Sequence, residues 1–125
     1  MRFLQLFPQF RYTWSRGEGV WVGTLQPQVE GTIYHLRIVY KPGDRPRVTV
    51  TRPKICSGVP HLYPGGELCL YYPKDRTWHS GLYIADIIVP ITAEWLLFYE
   101  LWIESGKWWG PEAPHTPRKP KGSIP

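Results

Sequence analysis

Cysteine is scarce in this chain of 125 residues: Cys56 and Cys69 are the only two. A single bridge between them would cross a loop holding Pro60, Pro64, Ser57, Gly58, Gly65 and Gly66, which is not the pattern of a disulfide-built secreted domain. Reduced thiols are expected. Neither cysteine and none of the four histidines stands in the close Cys-x-x-Cys or His-x-x-x-His spacing that metal sites favour, so no metal and no cofactor is expected. Long apolar runs are missing as well. The stretch Ile84 to Ile91 is broken by Asp86 and is far short of the roughly 20 residues that span a bilayer. Met1 to Pro8 has too short an apolar core for a signal peptide, and no membrane association and a cytoplasmic location are expected. The interior holds no continuous run of Lys and Arg. Part of the net charge of +5 comes from Arg118, Lys119 and Lys121, which meet no acid near the C-terminus. A nucleic-acid partner is therefore not expected, and a basic aromatic nucleic-acid-binding module is the most distant of three readings.

What is present fits one domain. A mass of 14.6 kDa lets a single core bury roughly two thirds of the unfolded surface. Aromatics make up 15% of the residues, with 7 Trp and 8 Tyr to fill that core. From Gln9 to Thr51, β-branched and aromatic residues alternate between turn signals. Phe10 to Trp14, Val20 to Leu25, Thr32 to Tyr40 and Pro46 to Thr51 read as four strands of an antiparallel meander. From Pro53 to Gly81, Pro and Gly punctuate and periodicity is lost, which predicts a long ordered loop packed on the sheet by Tyr63, Leu68, Leu70 and Trp78. Between Leu82 and Ser105 the apolar residues fall at helical spacing, predicting one long C-terminal helix. Pro90 kinks or begins that helix, Thr92 is an alternative N-cap, and Gly106 stops it. Trp108 and Trp109 are expected to fold back on the core. The class is α+β. Residues 1–115 form the domain, and 116–125 read as a disordered, basic, Pro-rich tail.

Within the loop, Cys69 follows the turn signal Pro64-Gly65-Gly66 and lies between Leu68 and Leu70. A free cysteine between two leucines is by default a small buried hydrophobe. The same setting holds a thiol rigid beside a turn where a substrate can reach it. A thiolate attacks acyl groups near neutral pH, and its adduct remains reactive toward amines, so one cysteine can receive an acyl group and pass it on. An amine acceptor must lose a proton, and Asp75 and Asp86 are the carboxylate candidates, with His79 as base or as an ordinary helix-entrance residue. Cys56 is read as structural. His61 is read as a structural residue that supports the loop.

A sheet meander, a histidine opening an irregular segment, a glycine, Leu68-Cys69-Leu70, a later Trp and then a helix: this order resembles the ubiquitin-conjugating (UBC) fold. The likeness runs from Gln9 to His115. The family opens the segment with His-Pro-Asn and ends it Ile-Cys-Leu; here His61, Gly66 and Leu68-Cys69-Leu70 take those places. Glu94-Trp95-Leu96, Tyr99-Glu100, Trp102, Gly106-Lys107-Trp108-Trp109-Gly110 and Pro114-His115 resemble the short prokaryotic branch, found in type II CBASS anti-phage systems beside a cGAS-like nucleotidyltransferase.

The resemblance implies a UBC-like domain whose Cys69 forms a thioester with the C-terminal tail of a partner, by this likeness the cGAS-like nucleotidyltransferase, and conjugates or primes it in antiviral defence. The likeness also carries a second reading, an inert binder that grips the tail without chemistry. Leu62 and Tyr63 stand where the family has Pro and Asn, and the chain contains no asparagine anywhere. The oxyanion donor implied for this site is therefore Tyr63 or a backbone N–H of the Pro64-Gly65-Gly66 turn. Met1 to Pro8 is too short for the family's N-terminal helix, which helps dock the activating enzyme, so a conventional activating partner is not expected.

Overall fold

The computed structural model describes residues 7–70 and 84–110. Four strands, β1 (Arg11–Ser15), β2 (Glu18–Leu25), β3 (Tyr34–Tyr40) and β4 (Arg47–Arg52), form one antiparallel sheet in the order β1-β2-β3-β4. This is the expected meander, and its connections follow from local chemistry. Arg16 and Gly17 both take positive φ, of 55° and 81°, which closes the two-residue hairpin between β1 and β2. Between β3 and β4, Pro42 and Gly43 occupy the two central turn positions. Gly43 has a φ of 89°, and the Asp44 N–H donates to the Lys41 carbonyl at 2.9 Å.

The alternation that marks the strands divides their two faces. On β2, Gly19, Trp21, Gly23 and Leu25 are buried; on β3, Tyr34, Leu36 and Ile38 are buried while Arg37 is exposed. Gly23 is small because Phe10 lies directly over it: a Cβ there would stand 2.4 Å from the Phe10 ring. A register shift between His35 and Leu36 sets the pairing of β3 with β4.

The helical part departs from expectation at its start. A π-helical turn, Ile84–Ile88, leads into α1 (Val89–Ser105). Pro90 sits in the first turn of α1, straight after the π-helical turn. Thr92 is not an N-cap. The chain is already helical ahead of it, and its buried hydroxyl donates back to the Ile88 carbonyl at 2.7 Å. Gly106, left-handed at φ 76°, ends α1 by donating its N–H to the Trp102 carbonyl at 2.7 Å. The reversal returns Trp108 to the core, against Trp95 and Phe98 at ring separations of 5.6 and 6.0 Å. Trp109, its alternating neighbour, points outward instead: its indole donates to Ser105 Oγ at 3.0 Å and Lys107 Nζ lies 4.3 Å from the ring centre.

One core joins sheet, loop and helix. Trp21, Leu36, Ile38 and Val48 from the sheet meet Val59 and Leu68 from the loop and Ile88, Val89, Trp95, Leu96 and Tyr99 from the helical segment. Burying each large apolar side chain contributes about 1.5–3 kcal/mol before chain entropy is counted, so the core fixes where the loop can lie.

Candidate active site

Beyond β4 the chain crosses the core through Val59 and turns back on itself. The Tyr63 N–H donates to the Glu67 carbonyl and the Gly66 N–H to the Tyr63 carbonyl, both at 2.9 Å. Gly66 supplies the positive φ, 95°, that this tight reversal needs. The returning limb then docks on β4, with a bridge between Thr49 and Glu67 and a Leu68 N–H donated to the Val48 carbonyl at 2.8 Å. An edge strand's free groups are thereby used to hold the segment that carries the thiol.

Cys69 is held from the other side by His61. Its N–H donates to the His61 carbonyl at 2.9 Å, and the same carbonyl accepts the Trp95 indole N–H at 3.1 Å. His61 adopts φ 63°, a left-handed conformation that His tolerates better than most residues, and its ring lies 5.0 Å from that of Trp108. The cysteine backbone is thus tied to sheet, loop and helix at once.

Cys69 itself is only 6% exposed. Burial pushes its thiol above the ordinary value, opposed by a hydrogen bond from the Tyr63 hydroxyl and by the nearby charge of Arg45, while Glu67 adds to the rise. The Tyr63 hydroxyl is pushed up to about 12, first by burial and then by its bond to the thiol. Tyr63 therefore stays protonated, and a donor, at any physiological pH.

Around this pair lies a cluster of charges. Arg45 places its guanidinium carbon 5.4 Å from the Tyr63 ring centre and pairs with Glu67 at 2.8 Å. Arg47 spans Asp44 at 3.1 Å and Glu67 at 3.8 Å. Asp44 Oδ1 accepts the Arg45 N–H at 2.8 Å, and that bond, followed by Arg47, holds its carboxyl below the usual range.

Of the residues singled out from sequence, His61, Tyr63, Gly65, Gly66 and Cys69 share one loop, in which the Tyr63 hydroxyl and the Cys69 thiol each shift the other's protonation. The turn is a poorer source of donors than expected, because Pro64 has no N–H and the Gly66 N–H closes the reversal. Gly65 is exposed with open space around its Cα. Asp86 is exposed on the π-helical turn. Asp75, Trp78, His79, His115 and the 116–125 tail lie outside the described residues. Cys56 is exposed, with its backbone N–H donated to the Tyr99 hydroxyl at 2.9 Å. Among the described residues no three His, Cys, Asp or Glu side chains are grouped to hold a metal ion.

Sequence reading missed Arg45, Arg47 and Glu67. Arg45 and Glu67 are 22 positions apart, and only the docking of the returning limb on β4 brings them together. The turn Pro42-Gly43-Asp44 was the available signal, since it aims Arg45 and Arg47 at whatever covers the end of β4.

The description of type II CBASS E2 proteins matches residues 1–116 of this sequence. The chain belongs to that family. No curated protein matches it. The CBASS E2 family carries an E2-like role in anti-phage defence, and the α+β arrangement of a four-stranded antiparallel sheet with a C-terminal helix is consistent with a UBC-like domain. In this CBASS E2 protein no helix among the described residues is long and apolar enough to cross a membrane.

Proposed function

We propose that Cys69 accepts an acyl group as a thioester with the C-terminus of a partner and passes it to an amine. The resemblance names the partner as a cGAS-like nucleotidyltransferase. The observation that carries this reading is a buried thiol whose backbone is fixed through the Leu68 and Cys69 amides, with Tyr63 in the same turn at the chain position where the wider fold has asparagine.

The chemistry starts from a neutral thiol, because burial disfavours the anion. As the carbonyl carbon arrives, a C–S bond forms, the bond to the activating group breaks, and the thiol's proton passes to the departing phosphate or thiolate. A free carboxylate does not acylate a thiol in water, so the partner's terminus arrives activated, as a mixed anhydride or another thioester; supplying that donor is the role proposed for an activating enzyme. The negative charge that builds on the carbonyl oxygen needs a donor close to the sulfur, and Tyr63 meets that need without ionising. An acceptor lysine then attacks the thioester and must lose a proton, a role we assign to Asp75 or His79 in the segment after the cysteine.

The low exposure of Cys69 favours one second reading, a protein that grips a C-terminal tail without chemistry. Incubating wild type and Cys69→Ala with the cognate nucleotidyltransferase and its activation system separates the two. A covalent species on a non-reducing gel that is absent with Cys69→Ala and is cleaved by hydroxylamine supports the thioester. Co-elution without any such species supports the tail binder.

A further inference from the structure

The reading of Cys69 as a nucleophile leaves a problem of positioning. A tyrosine hydroxyl is useful next to the sulfur only if the ring is kept there, and Tyr63 sits on a turn whose Pro64 and Gly65 are exposed. Two hydrogen bonds hold the Tyr63 backbone. The ring is held by Arg45, whose guanidinium lies 5.4 Å from its centre.

Arg45 is itself fixed at both ends. Its backbone N–H is received by Asp44 Oδ1 at 2.8 Å, and its Nη2 is received by Glu67 Oε2 at 2.8 Å. Glu67 in turn is anchored by its bridge to Thr49 and is approached by Arg47 at 3.8 Å. A side chain this restrained acts as a fixed strut. The same guanidinium is a positive charge near a sulfur that must become negative, and Glu67, which anchors it, works against that charge.

We propose that Arg45 is a positioning residue for Cys69: it clamps the Tyr63 ring so that the hydroxyl faces the sulfur, and it sets positive charge beside the forming thiolate. The inference rests on the reading of Cys69 as the nucleophile, and its test needs no partner protein.

The test is the pH profile of Cys69 alkylation by iodoacetamide, followed by mass spectrometry of the Cys69 peptide, with exposed Cys56 as internal reference. Arg45→Gln moves the Cys69 midpoint upward by half to one unit, about three- to tenfold less alkylation at pH 7.5, while Cys56 is unchanged. Arg45→Lys keeps the charge but not the planar fork and moves it less. Tyr63→Phe raises the midpoint too, and Arg45→Gln combined with Tyr63→Phe falls short of the sum of the single shifts, because one residue acts partly through the other. Superposition of the Arg45→Gln and wild-type profiles would overturn the proposal, as would fully additive shifts in the double variant. If Arg45→Gln does not fold, Arg45→Lys carries the decision: a profile identical to wild type refutes the clamp, and an upward shift supports it.

Discussion

Tyr34 is nearly fully buried, and its hydroxyl donates to Glu100 at 2.7 Å, which receives Gln28 on its other oxygen. Burial, then the bond to the Glu100 carboxylate and its charge, raises Tyr34 well above the ordinary tyrosine value. Folding therefore favours the protonated phenol. The resulting stabilisation is complete below the unfolded value near 10 and is lost as pH rises from there towards the folded value. A thermal melt series should show wild type losing stability above about pH 10, with Tyr34→Phe less stable at neutral pH and flatter on the alkaline side. Parallel alkaline slopes would mean that another group controls the loss. No period or spacing announces this contact, since Tyr34 and Glu100 are 66 positions apart; the sequence marks Tyr34 as a strand residue and Glu100 as a polar helix position and says nothing of their meeting.

Among the elements, the strands were the most legible. Alternation on β2 and β3 separates buried from exposed side chains residue by residue, and Arg16-Gly17 and Pro42-Gly43 are turn chemistry that reads directly from the chain. The start of α1 was not. Apolar residues at helical spacing do not distinguish a π-helical turn from an α-helix, and Thr92 has the composition of a cap while lying in a buried back-bonded position. The end of α1 was plain because Gly106 is the residue a left-handed cap requires. Gly106→Ala should destabilise the protein by about 1 kcal/mol, the cost of a Cβ at positive φ, read as a lower denaturant midpoint at unchanged m-value. Since open space surrounds the position, no clash adds to that cost; an effect several times larger would point to lost packing of Trp108.

At the scale of the whole molecule, Trp95 ties the candidate site to the core. It stacks on Tyr99 at 5.6 Å, packs against Trp108 and donates its indole N–H to the carbonyl that also holds Cys69. Trp95→Phe keeps most of the apolar surface and deletes that donor. Stability should fall by about 1–2 kcal/mol, and Cys69 should be alkylated faster than in wild type as the loop loosens. Lower stability with an unchanged alkylation rate would show that the helix supports the fold but not the thiol. The position of Cys69 in a loop was readable from Pro64, Gly65 and Gly66. Its attachment to the helix was not, because it passes through a main-chain carbonyl that carries no residue signature.

That carbonyl also bears on what an acylated form of the protein would look like. With the amides of Leu68 and Cys69 committed to Val48 and His61, the main chain at the thiol has no slack to move aside for a bulky adduct. Room has to come from the side chains around the sulfur. Loaded and empty forms of this E2 protein would then share one backbone and differ in a few χ angles, so a partner telling them apart would sense the attached chain itself rather than a refolded loop.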